Sequence, residues 1–479
     1  MTKEILINAS LQEKRVAIIS DGRLEEFYIE RPQDKTIVGN IYKGKIEAVL
    51  PSIGAAFVDI GLVKKGFLYL SEIEYSFEPL ETQEAIPREV KKGQEIMVQV
   101  VKESFGTKGP RLSCHIGIAG RYLVLMPQDN QIGVSRRIED DDERRRLKKV
   151  FSEFKLPKDV GFIVRTAACG KSSQELLRDA HFLLKLWRRI ERTKEAQKSP
   201  ALIYEEYDLT LRVIRDSFTD DITKLIVDSK PEYYRIQRFM RTFLGYLANR
   251  VELYRGDDLF EAKEAEKQIS KIFESKVYLK NKSYIVIEPT EGLVVIDVNS
   301  GGFNKKIDQE ETAFKVNCEA AIESAHQLRL RDLGGIIVID FIDMQRESHR
   351  REVLNILKKA LSTDRAKYDI LGISKFGVVE MTRERIHRTV QTLSYQACPY
   401  CHGRGKVKSA VTMTINVIKE LKKYLKGKRL KAISLTLNPA VIDEILKDKS
   451  TLKYLERFYR IKISLVSNPS LHIEEIKIS

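Results

Sequence analysis

Leu293-Val294-Val295-Ile296-Asp297-Val298-Asn299-Ser300-Gly301 and Ile336-Ile337-Val338-Ile339-Asp340-Phe341-Ile342-Asp343 are two apolar runs that each lead into acids. A carboxylate inside such a run needs a reason, because burying it uncompensated is costly. Between the runs, Ala313, Phe314, Ala321, Ile322, Ala325 and Leu328 recur at helical spacing, and Asp308 with Glu311 three residues on has the form of a capping box. Strand, helix, strand predicts a parallel crossover. If the strands are neighbours, Asp297 and Asp340 emerge together near the C-terminal ends, where α/β sheets place their sites. Alternation along the strand puts Asn299 on the face of Asp297. Two carboxylates and an amide suit Mg²⁺, which keeps waters and phosphate oxygens in its shell, so the chemistry expected is metal-assisted phosphodiester hydrolysis. The competing expectation is structural: an acid at a strand end caps the next segment or binds a nearby arginine, and Asp343 is placed in that class.

Working outward, a strand over Lys276 to Ile287 precedes this pair, and strands and helices alternate to about residue 394, which predicts an α/β unit. Upstream, Ile5-Leu6-Ile7, Val16-Ala17-Ile18-Ile19 and Phe27-Tyr28-Ile29 with an Asp21-Gly22 turn read as a β-meander too small to stand alone. From Thr36 to Leu112, short β-rich runs at turn spacing suit a small OB-type barrel, with the acidic stretch Glu72 to Glu89 as its long loop. A mixed segment follows: a strand over Tyr122 to Met126, a basic helix over Asp140 to Phe154, a strand over Gly161 to Thr166 and a long helix over Ser173 to Ala196. Helix and strand continue through residues 205 to 275. The chain closes on a small α+β part with a basic helix over Met413 to Leu425 and a strand over Ala432 to Thr436.

Cys398-Pro399-Tyr400-Cys401-His402-Gly403-Arg404-Gly405 is a thiolate knuckle whose glycines permit the tight turn that brings both sulfurs onto one ion. Structural zinc takes four ligands. The other cysteines, Cys114, Cys169 and Cys318, lie in unrelated segments, so the simplest completion is the same pair from a second chain, giving a zinc-linked dimer. A thioredoxin-like redox pair is the alternative, disfavoured because no thioredoxin-like βαβ context is evident around it. His402 is expected to be a bystander.

Lys and Arg outnumber Asp and Glu by 83 to 68, a net charge of +15, which draws polyanions and names a partner class rather than a reaction. Apolar stretches such as Gly335 to Ile339 fall far short of the ~20 residues that span a bilayer. No signal peptide is visible at Met1-Thr2-Lys3-Glu4, and five cysteines in 479 residues form no disulfide framework, so a cytoplasmic location is expected. Gly170-Lys171-Ser172 invites a P-loop reading, which fails because Arg165 stands where the first glycine is required. The basic runs Arg144-Arg145-Arg146 with Lys148-Lys149, and the lysines from Lys419 to Lys431, read as solvated helix faces.

Ile296-Asp297-Val298-Asn299-Ser300-Gly301, Glu311-Thr312-Ala313-Phe314-Lys315-Val316-Asn317-Cys318-Glu319-Ala320-Ala321, Leu328-Arg329-Leu330-Arg331-Asp332-Leu333-Gly334-Gly335 and Val338-Ile339-Asp340-Phe341-Ile342-Asp343-Met344 together resemble the ribonuclease E/G family. The resemblance covers nearly the whole chain. It implies an endoribonuclease that cuts single-stranded RNA with Mg²⁺ held by Asp297 and Asp340 and with Asn299 assisting. The products would carry 5′-phosphate and 3′-hydroxyl ends. It also implies a multidomain α/β and α+β fold. Residues 1–34 and 205–275 would form an RNase H-like unit, 35–114 an S1-type RNA-binding OB domain and 115–204 a 5′-phosphate sensor region. Residues 276–394 would be a DNase I-like catalytic domain, 395–405 a zinc link through Cys398 and Cys401, and 406–479 a small dimerisation domain. Phe57, Phe67 and Lys108 match RNA-contact positions of the S1 type, although by themselves the phenylalanines read equally as barrel core and Lys108 as a surface lysine. Arg165 and Thr166, shaped by Gly120 and Val124, match a pocket for an RNA 5′-monophosphate. Zinc-linked dimers that pair into tetramers, with roles in rRNA and tRNA processing and mRNA decay, belong to the same expectation. A chain that stops at Ser479, without a long scaffold tail, resembles the compact, ribonuclease G-type members.

Two other classes compete. A non-catalytic RNA-binding or ribosome-associated factor would use the barrel and the charge equally well, but would not need Mg²⁺ or Asp297. A zinc-linked scaffold for other enzymes would need long linear recruitment segments, which the sequence lacks.

Overall fold

The computed structural model describes residues 2–479 apart from 11, 75–89, 105–107, 128, 153–156, 158–159, 281, 291, 303–307, 375, 386–393, 397 and 429. Most of the acidic stretch Glu72 to Glu89 therefore lies outside the described residues, as does the end of the expected helix Asp140 to Phe154. The chain forms two compact units, Met1–Val390 and Gln391–Ser479.

In the first unit, Lys3–Ala9, Lys14–Ser20 and Arg23–Glu30 form the expected antiparallel meander, turning where Asp21 (φ 47°) and Gly22 (φ 79°) adopt the left-handed pair that a two-residue hairpin demands. Ile5, Leu6 and Ile7 are all fully buried, so both faces of this sheet are covered. The sheet is completed far along the chain: Ile222–Val227 runs parallel to Lys3–Ala9 and carries Val251–Leu253 at its other edge. The helices Leu209–Ser217 and Lys230–Phe243 pack one face, while Leu259 to Ile272 pack the other.

The barrel is Ile41–Leu50, Ala55–Asp59, Gly66–Tyr69, Glu95–Lys102 and Arg111–Ser113. It closes because Ile41–Leu50 pairs with both Ala55–Asp59 and Glu95–Lys102. Gly66 is required by close approach, since a Cβ there would collide with the Leu112 side chain. A four-stranded sheet follows, in the order Ile132–Val134, Val160–Val164, Leu123–Pro127, Ile118–Ala119, backed by the helices Asp141–Ser152 and Ser173–Ala196. The long helix begins as a true capping box between Ser172 and Glu175.

The sheet that carries the acids has six strands, in the order Lys276–Tyr278, Tyr284–Pro289, Leu293–Asn299, Gly335–Asp340, Val378–Arg383, Tyr368–Ile373. The helices Gln309–Leu330 and Glu347–Leu361 cover one face of it. The expected parallel crossover is present, with Asp297 and Asp340 as register partners. Three local expectations fail. The single strand over Lys276 to Ile287 is two antiparallel strands, folded back beside Lys282 at φ 63°. Asp308 stands at the N-cap but its side chain accepts no capping hydrogen bond, and Glu311 instead faces Arg346 at 3.5 Å. Ile322 is 50% exposed, because the buried stripe of that helix runs through Val316, Asn317, Ala320 and Ser324, and the polar pair Asn317 and Ser324 is passed over by an apolar-only pattern.

In the second unit, the helix Ala410–Leu425 packs on a three-stranded sheet. Ala432–Leu437 and Lys462–Ser467 are parallel, joined through the helices Pro439–Lys447 and Ser450–Tyr459. A βαβ-type crossover is thus present beside the cysteine segment, contrary to the expectation that none surrounds it. Its element boundaries are soft in sequence because two short helices replace one.

Candidate active site

Along Leu293–Asn299, Val294, Ile296 and Val298 are buried beneath the helices while Asp297 and Asn299 take the opposite, open face. Ile337 and Ile339 on the neighbouring strand are buried likewise, leaving Asp340 exposed on the open face. Because Asp297 and Asp340 are register partners, their backbones lie one strand spacing apart, roughly 4.8 Å. Asn299 Nδ2 donates to Asp297 Oδ2 at 2.6 Å. Among the described residues neither Asp297 nor Asp340 has an arginine or lysine in ion-pair range, so the arginine-partner explanation of these acids finds no support. No third His, Cys, Asp or Glu joins them closely enough to complete a metal cluster among the described residues. Two exposed carboxylates would leave most of an ion's coordination shell to water and phosphate oxygens, a donor set that suits Mg²⁺ better than a tightly caged ion. Asp343 is exposed, its Oδ1 lying beside the Gly377 backbone.

The segment after Asp340 is fastened from the covering helix. Asn317, fully buried, grips the backbone of Ile342. Glu310 accepts the backbone N–H groups of Gln345 at 2.8 Å and Arg346 at 3.1 Å, and His349 Nδ1 lies 2.8 Å from it. These donors, led by the Gln345 N–H, hold the Glu310 carboxyl below its usual range. Sequence reading missed both positioning residues. The available signal was a polar residue on the inward stripe of an otherwise small-residue helix.

On the barrel, Phe57 and Phe67 are register partners with ring centroids 6.1 Å apart. They point outward, since Ala56, Val58 and Leu68 fill the interior. Tyr69 meets Phe67 edge-on at 5.0 Å, and the Arg111 guanidinium lies 4.9 Å from the Tyr69 centroid. Lys108 is exposed close by in sequence. Tyr69 and Arg111 went unread, although the period-two spacing Phe67-Leu68-Tyr69 already placed the tyrosine on the face of Phe67.

Arg165 follows the strand Val160–Val164 and Thr166, exposed, begins the next turn. Arg165 Nη1 donates to the Gly120 carbonyl at 2.7 Å and Nη2 meets Asp216 Oδ1 at 2.7 Å. Gly120 has no room for a side chain: a Cβ would stand 2.7 Å from both Asp179 carboxylate oxygens. Buried Asp179 accepts the N–H groups of Arg121, Tyr122 and Leu123, although burial still drives its pKa upward. Val124, half-buried, pairs with Ala119 and Ile163 on either side. The fold thus brings Gly120, Arg165 and Thr166 into one small region with Val124 at its border.

Cys398 is exposed and Cys401 buried. The Gly405 N–H reaches Cys401 Sγ at 3.2 Å, and the Cys401 and Tyr400 N–H groups lower the Cys398 pKa. N–H donors aimed at sulfur stabilise thiolates, as a zinc knuckle requires, and two ligands leave half of a tetrahedral shell to be filled. The helix Ala410–Leu425 is capped by Ser409, so neither cysteine occupies the helix N-terminus that activates a thioredoxin-type thiol.

Residues 117–386 match the profile described as Ribonuclease E/G family. The chain is 39% identical to Ribonuclease G of Escherichia coli K12, covering all of this chain and 99% of that protein. The chain belongs to the ribonuclease E/G family. Residues 35–115 match the S1 RNA binding domain and residues 397–479 the RNase E/G, Thioredoxin-like domain. Ribonuclease G of Haemophilus influenzae is 40% identical over 93% of this chain and 92% of its own. Ribonuclease E of Escherichia coli K12 is 42% identical over 87% of this chain but only 40% of its own length. In this ribonuclease E/G family member, Asp297, Asn299, Asp340 and the Arg165 region all fall within the family match, and the outward aromatics within the S1 match. Among the described residues no helix is long and apolar enough to cross a membrane.

Proposed function

We propose that this ribonuclease E/G family member is a Mg²⁺-dependent endoribonuclease of single-stranded RNA. The observation that carries the reading is the register pairing of Asp297 with Asp340 on an open sheet face, with Asn299 at 2.6 Å from Asp297. Asp297 and Asp340 would hold the ion, and Asn299 would fix the Asp297 carboxylate and the substrate oxygen beside it. Held there, Mg²⁺ would supply charge stabilisation and a water activated for in-line attack. The 2′-hydroxyl then has no part, and the products carry 5′-phosphate and 3′-hydroxyl ends. Phe57, Phe67 and Tyr69 stack bases while Lys108 and Arg111 follow the backbone. Arg165, Thr166, Gly120 and Val124 receive a 5′-monophosphate, Arg165 contributing a directed guanidinium.

The five-stranded sheet formed by residues 3–30 and 222–253 serves as an RNase H-like structural unit, and residues 276–394 as a DNase I-like catalytic domain. Cys398 and Cys401 share one Zn²⁺ with the same pair of a second chain, giving a dimer able to pair again. The setting is cytoplasmic, in rRNA and tRNA processing and mRNA decay.

The test is cleavage of a 3′-labelled single-stranded RNA bearing a 5′-monophosphate or a 5′-hydroxyl, with Mg²⁺ or EDTA. Internal cuts that need Mg²⁺ and fall at least about 100-fold in Asp297→Asn are expected, since even removing an outer-shell partner of a metal ligand costs 10–100-fold. Binding without cleavage would instead make the protein a non-catalytic RNA-binding factor.

A further inference from the structure

Two tyrosines stand beside the carboxylates on the open face of the same sheet. Across the edge hairpin, the register aligns Tyr278, Tyr284 and Asn299 on three neighbouring strands, with Lys276, Val286, Asp297 and Asp340 in the adjacent row. Val277, Ile285 and Ile287 face the core, so alternation turns Lys276, Tyr278 and Tyr284 onto the face of Asp297 and Asn299. Tyr278 is 68% exposed, and its ring centroid lies 6.0 Å from that of half-buried Tyr284. The Lys276 ammonium rests 3.6 Å from the Tyr284 centroid and 5.0 Å from that of Tyr278. Among the described residues it has no carboxylate partner.

Packing does not require Tyr278: a side chain this exposed contributes little to the core. Exposed aromatic rings beside a phosphate-handling site are what unstacked bases of single-stranded RNA settle on. A half-buried lysine held only by ring faces is in a weak contact that a phosphate outcompetes. Two strand spacings, roughly 10 Å, separate Tyr278 from Asn299, which puts a stacked base next to the carboxylates rather than over them.

We infer that Tyr278, Tyr284 and Lys276 form a nucleotide subsite in which a base adjacent to the scissile phosphodiester stacks on Tyr278 and Lys276 swings onto the neighbouring phosphate. The placement beside a cut bond rests on the endoribonuclease function proposed above; the stacking does not. Tyr278 carries the test because its exposure lets it be truncated without disturbing the core.

The experiment measures binding of a short single-stranded RNA by fluorescence anisotropy to the full chain carrying Asp297→Asn, which separates the subsite from catalysis. Tyr278→Ala in that background should weaken binding about tenfold, and Tyr278→Phe should restore it, because stacking needs the ring and not the hydroxyl. The same oligonucleotide with a single abasic site stepped along it should bind more weakly at one position, and Tyr278→Ala should be insensitive to that position. Unchanged affinity in Tyr278→Ala, or a Phe variant as weak as Ala, overturns the subsite. With Asp297 intact, the abasic-sensitive position should neighbour the cut; a sensitive position far from the cut overturns the placement. Absence of any cut would instead sink the nuclease reading, leaving the binding result to judge the platform.

Discussion

Asn317 holds both backbone polar groups of Ile342: its Nδ2 donates to the carbonyl at 2.8 Å and its Oδ1 accepts the N–H at 3.0 Å. Ile342 lies two residues beyond Asp340, so this buried amide sets where the strand end stops. Asn317→Ala should cost about 1–3 kcal/mol of stability by leaving two part-buried backbone groups of Ile342 unpaired. It should also lower kcat about 10–100-fold with KM little changed, the range for losing an outer-shell support of a metal ligand. Denaturant unfolding and steady-state cleavage check the two separately. A variant that loses stability but keeps kcat would reduce Asn317 to a packing role.

The outward trio on the barrel makes a separable prediction about RNA affinity. Tyr69→Ala should weaken RNA binding roughly tenfold, and Tyr69→Phe should keep it, since the ring does the stacking. Arg111→Gln should lower the slope of log affinity against log salt by about 0.7, the contribution of one phosphate contact on a single strand. Titrations at several salt concentrations distinguish the two effects.

Arg165→Gln should erase any preference for 5′-monophosphorylated over 5′-hydroxyl RNA while leaving cleavage of the hydroxyl form unchanged. The ratio of kcat/KM for the two substrates is the readout. A preference that survives would remove Arg165 from the pocket.

Asp216 gives a pH dependence of known sign. Burial works against its charge, but Arg215 and then Arg165 hold its pKa down, from 3.8 to about 2. A carboxyl depressed on folding stabilises the native state fully above its unfolded value, and that contribution is lost as pH falls from 3.8 through about 2. Asp216→Asn should therefore be less stable than the parent at neutral pH and flatter in stability across that acid window. Thermal unfolding measured as a function of pH decides it.

The two strands that carry the acids were legible because each deciding residue announced itself locally. Asp297 and Asp340 break apolar runs, and the Asp21-Gly22 pair spells a hairpin. The partner of Lys3–Ala9 was not readable from periodicity, since Ile222–Val227 lies more than two hundred residues away and nothing in either strand names the other. The Lys276 hairpin was hidden because its turn carries no glycine and the flanking residues read as one β-rich run. Asn317 and Glu310 were hidden for a different reason: their partners are backbone groups, which have no sequence identity to match. Phe57 and Phe67 looked alike as core or surface until the register fixed which face holds Ala56 and Leu68.

If the proposed zinc-linked dimer forms, removing zinc or replacing Cys401 by Ser should convert it to a monomer of 55.2 kDa, seen by light scattering, with half a zinc per chain lost. A chelated protein that keeps its mass would rule out a shared ion. Reversible thiol oxidation with unchanged mass would favour a redox pair instead.

The strand Lys3–Ala9 needs Ile222–Val227 at its side. During synthesis at the usual 5–20 residues per second, the first strands of the protein therefore wait on the order of 10–40 s for their neighbour to leave the ribosome. Throughout that interval an apolar edge, with Ile5, Leu6 and Ile7 at its centre, is open to any other strand. The barrel and the four-stranded sheet emerge in the meantime as loops out of an unfinished unit. Nascent chains stalled before residue 222 should be clients of chaperones and prone to pair with one another, whereas chains released beyond residue 253 should not.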